Sequence, residues 1–319
     1  MISTLKYSVI IPVYNRPQEV DELLASLAQQ TYTNFEVVLV EDGSVLTSEK
    51  VFEKYSSQLS IQYFFKPNTG PGPSRNYGFA KAKGKYFVVF DSDCILPDHY
   101  FDAVEKVLNE TSLDAWGGPD RGHENFTVLQ QAMGYTMSSL LTTGGIRGRK
   151  KRVGWFQPRS FNMGVSREVV EQTGGFKFDR FAEDIEFSIR MKNAGFKTGL
   201  IPDAYVYHKR RTSLRQFYQQ VFNFGRGRVM VGRVHPGIVK LTHWFPSVFT
   251  LGMGLIPLLL LIDSRLSLAL LTGYFLYFLA IAADSLRLTR SVEVSLLSIP
   301  SAFVQMVGYG IGFLKEKLK

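Results

Sequence analysis

Three stretches in the last quarter of the chain, 244–262, 266–283 and 294–314, contain no charged residue. Each runs to 18 residues or more. At about 1.5 Å of rise per residue, that length lets a helix cross a hydrocarbon core of ~30 Å. A backbone in lipid must satisfy its own N–H and C=O groups, so helix is the form expected for each run. No run of that length is as apolar in the first two thirds of the 319 residues. The chain therefore reads as a soluble domain over residues 1–211, a connecting segment over 212–243, and a membrane domain over 244–319 with two to three transmembrane helices.

Within the soluble part, the segment KYFVVFDSD at 85–93 constrains the fold most. Its continuous β-branched and aromatic run predicts a strand buried on both faces of a parallel sheet. The strand ends in Asp91 and Asp93. Ligands of open α/β sheets bind at the carboxyl ends of strands, and two such carboxylates suit a hard cation, Mg²⁺ or Mn²⁺, that could hold phosphate oxygens. The plainer alternative is a polar turn before a helix opened by Pro97. Upstream, YSVIIPVY at 7–14 predicts a first strand, and Leu23, Leu24, Leu27 and Ala28 share one face of the next helix. A strand at 35–40 ends in Glu41-Asp42-Gly43-Ser44. A helix at 48–55, a strand at 61–65, a flexible loop at 69–73 and a helix at 74–82 follow. This alternation predicts right-handed crossovers and a mostly parallel sheet flanked by helices. It brings Asp42, Asp91 and Asp93 to one sheet edge, with Arg75 in the first turn of the intervening helix. Carboxylates can accept from a base or ribose, and an arginine can fork onto phosphate. The constellation suits a nucleotide diphosphate, and neither Gly-x-Gly-x-x-Gly nor Gly-Lys-Ser/Thr is present to suggest a dinucleotide or P-loop site.

The net charge of +9 and the single cysteine, Cys94, add two expectations. One cysteine makes no intramolecular disulfide, which suits a reducing compartment. The short polar start is not a secretory signal, and no nucleic-acid partner is expected.

The stretches VIIPVYNRP, VEDGS, GPGPSRNYGFAKAKGKY, VVFDSDC, FNMGVSREVV and FAEDIEFSIR, in this order, resemble those of family 2 glycosyltransferases of the GT-A fold, in their membrane-anchored bacterial form. The resemblance spans roughly residues 7–211. It implies that Asp42 contacts the base, that Pro12 and Tyr14 border the nucleotide, and that Arg75 approaches base or phosphates. Asp91 and Asp93 become the metal-binding aspartates, Asp93 the firmer, with Ser92 between them at the nucleotide. Asp184, with Glu183 beside it, becomes the general base of an inverting transfer; the alternative is that this pair merely caps a helix. His208, ending a predicted strand, would line the metal or diphosphate, and Arg211 would meet phosphate. The implied cofactors are Mn²⁺ or Mg²⁺ and a nucleotide-diphosphate sugar, a UDP-sugar first. Glu41 departs from the family's usual aspartate and is expected to matter little.

Residues 116–119 are expected to end a fifth strand and 122–154 to be irregular. The basic run at 147–152 reads either as a solvated face or as a lid for anionic headgroups or acceptor phosphates. Leu214, Phe217, Tyr218, Val221 and Phe222 recur at helical spacing ahead of Arg226, Arg228 and Arg233. They predict an amphipathic helix, lying at the lipid interface or packed on protein. QQVFNFGRGR is not the Gln-x-x-Arg-Trp pattern of processive synthases. Basic residues before Trp244 place the soluble domain on the cytoplasmic face of the cell (inner) membrane. Lys315, Lys317 and Lys319 run against that bias, so the segment containing Pro300 could instead be re-entrant or interfacial. The expected acceptor is a lipid-linked saccharide or surface polysaccharide, with membrane lipids as partners. A polyprenyl-phosphate acceptor, a non-catalytic scaffold and a nucleotidylyltransferase are the rivals, the last lacking its glycine-rich loop.

Overall fold

The computed structural model describes residues 5–121, 126–143, 155–208 and 211–319; the basic run at 147–152 lies outside them. In chain order the elements are β1 (Tyr7–Val13), α1 (Pro17–Ala28), β2 (Phe35–Asp42), α2 (Glu49–Tyr55), β3 (Ile61–Lys66), α3 (Pro71–Lys81), β4 (Tyr86–Phe90), β5 (Cys94–Ile95), α4 (Tyr100–Glu110), β6 (Ala115–Gly117) and β7 (Asp120–Arg121). Then come α5 (Val128–Ser138), α6 (Leu140–Thr143), β8 (Asn162–Ser166), α7 (Arg167–Thr173), α8 (Glu183–Asn193), β9 (Thr198–Leu200) and β10 (Val206–His208). The chain closes with α9 (Leu214–Val234), α10 (Phe245–Ile262), α11 (Ser264–Thr289) and α12 (Val292–Lys317). It divides into two compact units, one of Met1–His123 with Arg152–Lys209, the other of Glu124–Lys151 with Arg210–Lys319.

The first unit is built on a seven-stranded sheet of order β3-β2-β1-β4-β8-β6-β9. Only β8 runs antiparallel to its neighbours, so the sheet is mostly parallel, as the strand–helix alternation predicts. Side chains alternate between its faces. Val9, Ile11, Val37, Leu39, Val88 and Phe90 enter one core with Leu23, Leu24 and Leu27 of α1. Ile10, Val38, Val40, Phe87 and Val89 enter the other with Phe79 of α3 and Phe187 of α8. Burial on both faces explains the uninterrupted apolar strands. Strand order reverses at β1, which pairs with β2 on one side and β4 on the other. The carboxyl ends of β1 and β4 are therefore where a crevice opens. A small sheet of order β5-β10-β7 stands apart from the large one.

The second unit is helical. It holds α10, α11 and α12, three helices long and apolar enough to cross a membrane. They differ in surroundings: 50% of the apolar window of α12 is buried, against 11% for α10 and for α11. Small residues let α12 approach its neighbours closely, as in membrane helix packing. A Cβ added to Gly312 would come within 2.1 Å of the Phe222 carbonyl oxygen on α9. Polar side chains join the helices where water is excluded, Ser285 to Ser298 at 2.8 Å and Ser295 to the Ala282 carbonyl at 2.7 Å.

Two expectations change here. The described part of 122–154 is not irregular but folds as α5 and α6, and it belongs with the C-terminal helices rather than with one continuous domain over 1–211. Met133 and Met137 of α5 pack with Phe217 and Val221 of α9. The Tyr135 hydroxyl donates to Asp284 Oδ2 at 2.9 Å. A Thr-x-x-Gln capping box starts the helix, Thr127 and Gln130 exchanging hydrogen bonds, and this sequence signal was readable. The amphipathic helix at 214–234 does form, yet its apolar stripe is covered by α5 and α12 within the unit rather than left to lipid.

Candidate active site

Asp42 ends β2 directly opposite Lys66, which ends β3. Lys66 Nζ pairs with Asp42 Oδ1 and also donates to Thr69 Oγ1 at 2.6 Å. The backbone N–H of Thr69 reaches Oδ1 and that of Gly70 reaches Oδ2, both at 2.9 Å. Gly43 and Gly70, at φ of +71° and +103°, allow this wrap, because a side chain in either place would be strained and would meet backbone. Burial alone would raise the Asp42 carboxyl; Lys66 and the two N–H groups outweigh it and hold the carboxyl below the usual range. The resemblance assigns Asp42 to base contact. In this structure both its oxygens are engaged by the chain, so Asp42 shapes the loop that leads into α3.

Glu41, beside it, is fully buried and has a similar task. Its Oε2 accepts from the Ser48 N–H at 2.8 Å, and its Oε1 accepts from the Ser44 hydroxyl. Ser44 Oγ in turn accepts from the Asn15 N–H at 2.7 Å, and Asn15 Oδ1 accepts from Val45 and Leu46. The loops after β1 and β2 are thereby braced against each other. Pro12 sits in β1 opposite Val40 and half-buried, and Tyr14 at its end is 52% exposed.

Arg75 joins parts of the first unit that lie far apart in sequence. Its Nη1 donates to Glu183 Oε1 at 2.9 Å and its Nη2 to Asp91 Oδ1 at 2.7 Å. It lies one turn into α3 and is buried, only 2% exposed. Both guanidinium arms are thus committed to carboxylates, which differs from the expected approach to phosphate. The end of β4 is pinned to the start of α8 by an arginine 108 residues before Glu183. Ser160 Oγ adds a bond to Glu183 Oε1 at 3.2 Å. Burial pushes the Glu183 carboxyl up, with Arg75 opposing and neighbouring Asp184 reinforcing the rise. Ala182, at φ +57°, turns the chain sharply into α8. The adjacent Asp184 is half-buried, with Arg159 Nη1 3.4 Å from its Oδ2.

Asp93, 6% exposed, meets different partners. Arg16 Nη1 pairs with Oδ2 at 2.5 Å, and His208 Nε2 stands 3.1 Å from Oδ1. Burial favours the neutral acid, but His208 and Arg16 win and hold Asp93 well below the usual carboxylate range. Burial opposes charge on His208 too, and Asp93 overcomes it and raises the imidazole. Among the described residues, the Oδ1 atom is buried without an aligned hydrogen-bond partner. An orphaned carboxylate oxygen beside an imidazole nitrogen is a donor set that fits a divalent cation. Ser92, between the two aspartates, is buried.

The structure thus joins Arg75, Asp91, Glu183 and Asp184 in one cluster and Asp93 with His208 in the adjoining one. Asp42 is linked to them through its loop, since the Gly72 N–H donates to the Asp179 carbonyl just before α8 at 2.9 Å. Arg211 falls in the second unit. Sequence reasoning missed four partners. Lys66 was readable, as the last residue of the strand beside Asp42. Arg16 follows the first strand and could have been weighed by that position. Arg159 and Ser160 precede β8 in a stretch without helix or strand periodicity, and nothing local marks them.

A sequence profile described as Glycosyl transferase family 2 matches residues 8–174. Glycosyltransferase AglE of Haloferax volcanii is 24% identical over 269 residues, 81% of this chain and 84% of that protein. The poly(ribitol-phosphate) β-N-acetylglucosaminyltransferase TarS of Staphylococcus aureus is 35% identical over 130 residues, 40% of this chain and 21% of TarS. The first curated relatives, uncharacterised glycosyltransferases of Rickettsia species, match over only 16–17% of their own length. Among solved structures, the mannosyltransferase PcManGT from Pyrobaculum calidifontis, in complex with GDP-Man and Mn²⁺, shares the fold with a TM-score of 0.64 at 18% identity, over 94% of this chain and 86% of that one.

Proposed function

The chain belongs to glycosyl transferase family 2, and from that membership we propose an inverting, metal-dependent glycosyltransferase that uses a nucleotide-diphosphate sugar. The observation that carries this reading is the Arg75 strut, which fastens Asp91 of the Asp-Ser-Asp turn to the helix start bearing Asp184. In the transfer, Asp184 takes the proton of an acceptor hydroxyl while that oxygen bonds to the anomeric carbon. The bond from this carbon to the phosphate oxygen breaks, and the electron pair leaves with the nucleoside diphosphate. Attack from the opposite face inverts the configuration. Asp91, Asp93 and His208 would hold Mn²⁺ or Mg²⁺, which when bound supplies stabilisation for charge gathering on the diphosphate. Pro12, Tyr14 and Ser92 line the nucleotide, and Asp42 orders the loop beside it. Arg75 and Glu183 act as positioning residues.

The donor in this reading is a UDP-sugar. Support comes from the GDP-Man and Mn²⁺ of the mannosyltransferase structure and from TarS crystallised with UDP-GlcNAc. The acceptor is a lipid-linked or surface saccharide met at the cytoplasmic leaflet of the inner membrane. The three apolar helices support anchoring there, which confines enzyme and amphiphilic acceptor to one surface and raises their effective concentration. The test is a thermal-shift panel of UDP-, GDP- and TDP-sugars on the full chain in detergent, with and without Mn²⁺. A UDP-sugar should raise the melting temperature in a Mn²⁺-dependent way, and Asp93→Asn should abolish the Mn²⁺ dependence. Absence of any nucleotide-sugar stabilisation refutes the reading.

A further inference from the structure

The short strands β5 and β10 carry a side chain that the proposed transfer does not use. Cys94 stands directly opposite His208 in their antiparallel pairing. Residues so paired project from the same face of the ladder, with Cβ atoms ~4.5–5.5 Å apart. The Cys94 sulfur, an Asp93 carboxylate oxygen and a His208 ring nitrogen all lie within 4.8 Å of one another. Asp93 is 94% buried by its 6% exposure, and among the described residues its Oδ1 has no aligned hydrogen-bond partner. His208 Nε2 is near that atom, at 3.1 Å, without the alignment of a hydrogen bond. The thiol makes a long contact to the Phe161 carbonyl, at 3.4 Å. The Phe161 ring in turn stacks on His208 with centroids 5.1 Å apart, so one residue steadies both the sulfur and the imidazole.

We propose that Cys94 is a third donor to the cation site and gives it a preference for borderline, sulfur-tolerant ions, Zn²⁺, Co²⁺ and Cd²⁺, over the hard Mg²⁺ and Mn²⁺. Carboxylate and imidazole accept either class of ion, and a thiolate selects the softer one. Three side-chain donors of mixed O, N and S type, leaving a position for a further ligand, are the make-up of an open zinc site. On binding, the thiol proton passes to solvent and a sulfur lone pair forms the bond to the metal, with no change of oxidation state. The inference rests on the reading of Asp93 and His208 as metal donors. Its consequence is that Zn²⁺ displaces Mn²⁺ from the site and inhibits transfer.

Co²⁺ titration of the full chain in detergent, followed by absorption, tests it. The wild type should develop a thiolate-to-Co²⁺ charge-transfer band that Cys94→Ser and Cys94→Ala lack. In competition, with free Mn²⁺ followed by electron paramagnetic resonance, Zn²⁺ should displace Mn²⁺ from wild type at concentrations lower than from Cys94→Ser by on the order of tenfold or more, the loss seen even for outer-shell partners. A wild-type Co²⁺ complex with no sulfur band, or equal Zn²⁺ competition in wild type and Cys94→Ser, overturns the role of Cys94 while the metal site stands. Failure of Mn²⁺ to bind in an Asp93-dependent way overturns the underlying reading instead. The wild-type spectrum decides the point even if both variants fold poorly.

Discussion

Replacing Arg75 by methionine removes a buried cation from between two carboxylates, and the structure sets the size of the effect. The side chain of Arg75 is 3% exposed, that of Glu183 9% and that of Asp91 33%. Glu183 would lose its cation in a dry site with only the Ser160 hydroxyl, and must either stay charged there or take up a proton, a loss of about 3–5 kcal/mol for a buried pair broken on one side. The Asp91 arm adds less, because water screens a third of it, and we assign it under ~1 kcal/mol. For a unit of this size each kcal/mol moves the melting temperature by about 2–4 °C, so Arg75→Met should melt roughly 6–20 °C below wild type. Glu183→Gln should cost far less, since its amide oxygen still accepts from Arg75. The double variant should then recover about 0.5–3 kcal/mol relative to Arg75→Met, because the stranded charge is gone. Tryptophan fluorescence melts of the four proteins in one detergent complete the cycle. An Arg75→Met protein melting within about 2 °C of wild type, or a double variant no better than Arg75→Met, refutes the strut.

Asp184→Asn should keep its nucleotide-sugar thermal shift while turnover falls by about 10²–10⁴-fold, the usual weight of a general base; near-wild-type turnover would take the role from Asp184. Asp42→Asn should melt below wild type at neutral pH, because the folded state holds Asp42 ionised among Lys66 and two N–H groups. With its folded value depressed, that stabilisation is present above the unfolded value of ~3.9 and is lost as pH falls through the folded one, so the gap between the two melts should close in acid. A gap unchanged on acidification would mean that charge is not its origin. Gly312→Ala places a methyl 2.1 Å from the Phe222 carbonyl and should destabilise the helical unit by about 1–3 kcal/mol, read as faster proteolysis between α9 and α12; unchanged proteolysis would argue against this close packing.

The strands and most helices were legible because the information is local. YSVIIPV, FEVVLV and YFVVF are apolar on both faces, and such runs fit only strands covered on both sides. The helix at 128–138 is announced only by Thr127 and Gln130, while the glycines and basic residues that follow it read as loop. The stripe of Phe217 and Val221 was seen, but what covers a stripe is not written in it. Met133 and Met137 cover this one from a distant part of the chain.

The same division runs through the site. Residue order alone was enough to bring acidic groups to the carboxyl edge of a parallel sheet and to mark three helices of membrane-spanning length later in the chain, because periodicity and strand alternation act between near neighbours. It could not say that Arg75 serves Glu183 and Asp91, that Lys66 holds Asp42, or that Cys94 faces His208. Those pairings join groups from distant parts of the chain, and only the packing of helices on the sheet decides which charge meets which in the absence of water.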